Sequence, residues 1–375
     1  MQEVLRAQLL SHLQMDDNRL YHCYWSRSSA RAWAGASRGF TDRCNLFLTY
    51  QVPLWLILLS GVIGFFVGGV TLRPRWKDQR SEQNDQVFFI LCAFNEKRWL
   101  AGLVQDIHNS LDRRGFDLVL KIPERDYVHY GQVRHLQNLS ERRDRYVGGI
   151  VSPAESELLR NDLKSFCVSM EYPVIFVDID PFGAAEDYPA NTAFVGYAPE
   201  SIGRCAADYV GEHVRRSQLS APGVLVIGSK LHIGRQTEFV KRLKFRIPDA
   251  EFIIDDDGGF NRARAREIAC ENLRSEEHVV PNYIFCTNDE MALGAVDALG
   301  IVGFENAGSV TVVGVDGIPE ARALIDSQNT PLRATVVQDS CRMAEIATDL
   351  LDRAIRGKHI EKYNYLDPRI YSRDR

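Results

Sequence analysis

The chain has 375 residues, of which 45% are hydrophobic and 25% charged, and a formal net charge of −5. That length holds two lobes with extensions, and the slight acidity excludes the basic excess of a nucleic-acid binder. None of the eight cysteines sits in a CxxC or other metal-ligand spacing. Neither a disulfide framework, a metal site nor any cofactor is therefore expected.

In chain order, residues 1–51 carry six Arg and no clear apolar period beyond a short helical pattern at Glu3–Leu13. No role is assigned to them. The next stretch, "VPLWLILLSGVIGFFVGGVTL" (residues 52–72), is 21 residues long and lacks any charge. About 20 apolar residues cross a bilayer as a helix. The run is long and lies far from the chain start, unlike a secretory signal. The expectation is an uncleaved transmembrane anchor, with the alternative of a mis-assigned start ahead of a signal peptide. Residues 73–85 are a polar tether.

From Val87 the pattern becomes regular. Apolar runs recur at Val87–Ala93, Phe116–Ile122, Val147–Val151, Pro173–Asp178, Ala193–Gly196, Val224–Ile227, Phe252–Ile254, Tyr283–Cys286, Val310–Val315 and Ala334–Val337. Helical patterns such as "PESIGRCAADYVGEHVRR" separate most of them. The runs are continuously apolar rather than alternating, as in parallel strands covered on both faces. The fold class expected is α/β, with two doubly wound parallel-sheet lobes of roughly five strands each.

Ligands of such sheets bind beyond the C-terminal strand ends. The residues found there are Trp99, Asp178, Arg235, Phe260, Asn288, Asp316 and Gln338. Carboxylates, amides and an Arg suit vicinal hydroxyls, and aromatic rings suit the apolar face of a sugar. Plain structural roles compete with this reading. Asp316 fits a helix cap, Gln338 a core amide, Arg235 a surface residue. In "TNDEMALGAVDALG" (287–300), Asn288 fits either a helix N-cap or a ligand contact, and Asp289 and Glu290 suit the positive helix start. The acids Asp255–Asp257 read as a solvated loop rather than a metal site. Motifs for a serine nucleophile, a zinc protease or a phosphate loop are missing, so catalytic residues and an enzyme activity are not expected.

Three stretches, "TNDEMALGAVDALG", "VTVVGVDGIPEARALI" and "LRATVVQ", resemble periplasmic sugar-binding proteins of the ribose-binding type and the related sensor cores of lactose-repressor-like regulators. The resemblance covers about residues 86–360. It implies two α/β lobes joined by three crossovers and closing on a sugar. Lobe 1 would span about 86–194 and 339–362, and lobe 2 about 197–337 and 363–375. By position, it implies Trp99 and Phe260 as stacking rings, Asp178 and Arg235 as hydroxyl partners, and Asn288, Asp316 and Gln338 as the polar floor. Ribose binders often have Asp-Arg after the fourth strand, where this chain has Asp178-Ile179. Where they have an Asn and a Phe after the first strand, it has Glu96 and Arg98. Another pentose, a hexose, a polyol or a sugar-like signal is expected instead.

The function expected is that of a membrane-anchored solute-binding protein. Its partners would be a small sugar or polyol, the inner membrane through residues 52–72, and an ABC permease or membrane sensor, with no nucleic acid. The alternative is a ligand-responsive regulatory or interaction protein on the cytoplasmic face. The resemblance favours a periplasmic domain. Arg73, Arg75, Lys77 and Arg80 outnumber Arg38 and Arg43 around the span and favour the cytoplasmic side.

Overall fold

The computed structural model describes residues 85–95, 97–275, 281–303 and 310–373. The expected anchor, the N-terminal segment and nearly all of the tether lie outside the described residues. Among those described, no helix is long and apolar enough to cross a membrane.

The first sheet has the order β11-β5-β4-β3-β1-β2. Its strands are β1 (Asp85–Ile90), β2 (Phe116–Lys121), β3 (Tyr146–Val151), β4 (Val174–Val177), β5 (Thr192–Tyr197) and β11 (Tyr363–Leu366). All are parallel. Helices α1 (Arg98–Asp112), α2 (His129–Ser140), α3 (Ser156–Met170) and α9 (Ser340–Ile355) belong to this lobe. The second sheet has the order β12-β10-β9-β8-β6-β7. It contains β6 (Gly223–Ile227), β7 (Glu251–Asp255), β8 (Tyr283–Cys286), β9 (Thr311–Asp316), β10 (Leu332–Val337) and β12 (Arg369–Ser372). Its helices are α4 (Pro199–Ser217), α5 (Ile233–Arg246), α6 (Arg262–Arg274), α7 (Asp289–Val302) and α8 (Pro319–Ser327).

Each sheet thus has six strands rather than five, and β12 runs antiparallel to β10. The sequence hides β11 and β12 through their composition. "YNYL" and "RIYS" are mostly half-buried and show no continuous apolar run. The chain passes between lobes at Ala198, at Gln338–Asp339 and at 367–368.

The cores follow from the apolar runs. Val87, Phe88, Phe89 and Ile90 are wholly buried in the first sheet, as are Val224, Leu225, Val226 and Ile227 from near 0 to 1% exposure in the second. Each such side chain contributes about 1.5–3 kcal/mol on burial. α9 returns from the second lobe to cover the first. It is fixed to α1 by Ser110 Oγ and Thr348 Oγ1 at 2.8 Å and by Ser340 Oγ donating to Asp106 at 2.6 Å. Helix starts are cut by local chemistry. Pro199 and Pro319 stand at first helical positions, and Asp339 caps α9 by accepting from Arg342 N at 3.0 Å. One close approach matters for the site: a Cβ at Gly203 would lie 2.3 Å from Arg235 O, so α4 packs directly on the backbone of α5.

Candidate functional site in the cleft between the lobes

Strand ends from both sheets meet in one small cavity, lined by Trp99, Tyr127, Asp178, His232, Arg235, Phe260, Asn288, Asp316 and Gln338. The structure therefore brings together all seven residues singled out from the sequence. It adds Tyr127, from the loop between β2 and α2, and His232, just before α5.

The polar floor belongs mainly to the second lobe. Arg235 is 5% exposed and donates from Nη1 to Thr287 O at 2.8 Å. Its Nη2 donates to Gln338 Oε1 at 3.4 Å, and Asp316 Oδ1 lies 3.9 Å from Nη1. Gln338 Nε2 donates to Asp316 Oδ1 at 2.7 Å. These bonds orient the carboxylate, the amide and the guanidinium relative to one another. Arg235 Nε is buried without a partner, a fork donor still to be used.

The first lobe supplies Trp99, Tyr127 and Asp178. Trp99 sits in the first turn of α1, and its Nε1 donates to Gln338 O at 2.9 Å, bridging the lobe and the second crossover. Phe260 packs against Tyr127 at 5.6 Å and His232 at 5.3 Å between ring centroids. Around the cavity, Lys97 Nζ donates to Phe260 O at 2.7 Å, and Arg98 pairs with Glu320 and, at 3.6 Å, with Glu290. These contacts join the lobes across the mouth.

The backbone is strained here. Tyr127, Asp178, Phe260 and Asp316 have φ of 59°, 71°, 56° and 111°, half of the eight non-glycine residues with positive φ among those described. Such conformations cost about 1–3 kcal/mol and gather where side chains must be aimed at a ligand.

Electrostatics follow from burial. Loss of hydration raises Asp178 to about 6 and Asp316 to about 7, with Arg235 opposing both shifts. The Asp178 charge pushes Asp316 up further. His232 is held well below its usual range by burial and then by the Arg235 charge. It is a neutral ring at physiological pH. Burial foremost raises Tyr127 well above the ordinary phenol range, so it keeps its proton.

The stretch 287–300 is resolved differently from its sequence reading. Asn288 Oδ1 caps α7 by accepting from Met291 N at 2.9 Å, while the residue also lines the cavity. Asp289 does not serve the helix start alone. Its oxygens accept from Ile318 N at 2.9 Å and from Thr335 Oγ1 at 2.7 Å. Glu290 faces Arg98 of the other lobe. Asp289 thereby gains the dedicated donors a buried carboxylate needs, whereas Glu290 Oε1 is buried without a partner. Tyr127 lies beyond the reach of a strand-end rule, several residues past β2. His232 ends the short turn just ahead of α5, which carries Arg235.

The family described as Periplasmic binding protein domain matches residues 87–359. The chain belongs to that family. Among curated relatives, the HTH-type transcriptional repressor PurR of Histophilus somni (strain 129Pt) is 24% identical over 270 residues, 70% of this chain and 73% of its own. The ribose import binding protein RbsB of Bacillus subtilis (strain 168) is 23% identical over 292 residues, 77% of this chain and 88% of its own. Among solved structures, a periplasmic solute-binding protein of an ABC transporter from Actinobacillus succinogenes 130z, with bound D-allose, matches with a TM-score of 0.69 and 20% identity. It covers 77% of this chain and 98% of that one. The periplasmic-binding-protein fold of two lobes and parallel sheets is thus established for this chain.

Proposed function

We propose that this chain is a solute-binding protein that takes a small polyhydroxy ligand, a sugar or polyol, into the cleft between its lobes. In this reading residues 52–72 anchor it in the inner membrane, the lobes stand in the periplasm, and the closed form serves an ABC-type permease or a membrane sensor. The carrying observation is the interlocked set Arg235–Gln338–Asp316 facing Asp178, with Trp99 and Phe260 as flat walls. Paired carboxylate, amide and guanidinium groups suit adjacent hydroxyls, and rings suit the apolar face of a sugar. The bound sugars of structural neighbours, D-allose in one and D-arabinose in another, support the same ligand class.

A thermal-shift screen of monosaccharides and polyols tests this. A ligand at about 100 times its dissociation constant stabilises by about 2.7 kcal/mol. Shifts confined to nucleobases or amino acids, or none with any sugar, would remove the reading. Asp316→Ala should abolish the shift while leaving a folded protein.

A second reading, the regulatory protein of the cytoplasmic face, is favoured by two observations. Arg73, Arg75, Lys77 and Arg80 follow the span. Cys92, Cys167, Cys205, Cys270, Cys286 and Cys341 are all free thiols. An alkaline-phosphatase fusion at Arg375 separates the two: activity places the lobes outside, and silence places them within.

A further inference from the structure

The cleft cavity is about 40 Å³ with the lobes closed as they are here, so a sugar ring enters it only as the lobes part. On the crossover side lies a second, larger chamber of about 380 Å³, within the roughly 300–1,000 Å³ typical of ligand sites. Trp99, Asp316 and Gln338 line both spaces. The partition between them is therefore the Trp99 Nε1–Gln338 O hydrogen bond and the Gln338 side chain. The chamber's own walls are Gly102, Ile318 and Pro319, an apolar face, with Arg98 and Arg322 beside it. Arg322 Nε is buried without a partner. The Arg322 guanidinium lies over the Tyr371 ring at 5.4 Å, which fixes its plane. The acids of the chamber are already engaged. Asp316 accepts from Gln338, and Asp339 caps α9 and lies 3.6 Å from Arg369.

We propose that the ligand is a glycoside rather than a free monosaccharide, with one ring between Trp99 and Phe260 and a second ring in the chamber against Gly102, Ile318 and Pro319. The second ring lays its apolar face on Ile318 and Pro319 and offers an acceptor oxygen to Arg322. This rests on the sugar-binding reading above and extends it.

The test uses the full chain and matched probes: galactose against lactose and melibiose, glucose against maltose and trehalose, fructose against sucrose. At least one disaccharide should bind ten or more times tighter than each of its component monosaccharides. Gly102→Phe should remove that advantage and leave monosaccharide affinity within about twofold. A Cβ at Gly102 meets nothing nearer than Ser340 Oγ at 3.9 Å, and a phenyl ring there fills the chamber. The wild-type chain gives a readout independent of that variant. Cys341 lines the chamber and is exposed, so the tight-binding disaccharide should slow its maleimide labelling more than saturating monosaccharide does, as read on its peptide by mass spectrometry. Monosaccharide binding with no tighter disaccharide, or equal labelling protection by both, overturns the glycoside proposal alone. No binding by sugars of either size overturns the sugar-binding reading and this proposal together.

Discussion

Asp289 at the start of α7 accepts a hydrogen bond from the Thr335 hydroxyl on β10, 2.7 Å away. The same carboxylate accepts from Ile318 N at 2.9 Å. One side chain thus ties a helix start, the turn after β9 and the neighbouring strand. Asp289→Ala leaves those donors without an acceptor inside the second lobe. Each buried unsatisfied group costs about 1–3 kcal/mol, so a loss of about 2–4 kcal/mol is expected in urea unfolding. Asp289→Asn keeps one acceptor oxygen and should cost less. Equal stability of the alanine variant and the parent would refute this role.

Asp316 gives the molecule a pH dependence. An unfolded Asp titrates near 4, whereas burial lifts this one to about 7. Between those values the folded state binds the extra proton. The stabilisation is fully present below about pH 4 and is lost as pH rises through about 7. Asp178, at about 6, acts in the same direction. A tenfold difference in proton affinity between the folded and unfolded chain is worth about 1.4 kcal/mol. Unfolding free energy of the ligand-free chain should therefore fall across this window, and Asp316→Asn should flatten the slope. A parent whose stability rises steadily from pH 4 to 7 would count against the buried, protonated carboxyl.

Trp99 should report closure. Its indole N–H bonds to Gln338 O across the hinge side of the cleft, so opening or ligand entry changes the environment of the ring. A sugar that binds should alter tryptophan fluorescence. Trp99→Phe should lose most of that signal and keep weak binding, since a phenyl ring still stacks. A persisting signal would place the response at another tryptophan.

Gly203→Ala should reach the site from outside it. The added methyl would meet Arg235 O at 2.3 Å, forcing α4 and α5 apart. Overpacking of this kind costs about 1–3 kcal/mol, and the displaced helix carries Arg235. Both melting temperature and sugar affinity should drop. Unchanged affinity in a destabilised variant would show that Arg235 does not move with its helix.

Most of the architecture was legible because buried parallel strands must be apolar throughout. Tyr283–Cys286 was bounded as observed, and Thr192–Tyr197 or Leu332–Val337 were found with shortened ends. β11 and β12 were not legible, since "YNYL" and "RIYS" carry no continuous apolar run, whereas the opposite edge strands β2 and β7 were marked by theirs. The cleft residues were legible where they lie at or just past a strand end, as Asp316 and Asn288 do. Tyr127 was not, because a left-handed turn within a long loop delivers it. The partners of Asp289 were also hidden: Ile318 and Thr335 are distant in sequence, and only the pairing of β9 with β10 brings them close.

The return of α9 to the first lobe has a consequence for synthesis. Residues 199–337 supply nearly all of the second lobe before α9 exists, while the first lobe's sheet still lacks the cover provided by Met343, Ala344, Ala347, Leu350 and Leu351, all buried in the finished molecule. On the ribosome, the lobe begun first must wait with an apolar face uncovered as the later one assembles. β11 and β12 then seal an edge of each sheet within ten residues of one another, at 363–372. The first lobe is then completed at Leu366 and the second at Ser372, almost together, and a nascent chain stalled near Asp339 would be the species most in need of a chaperone.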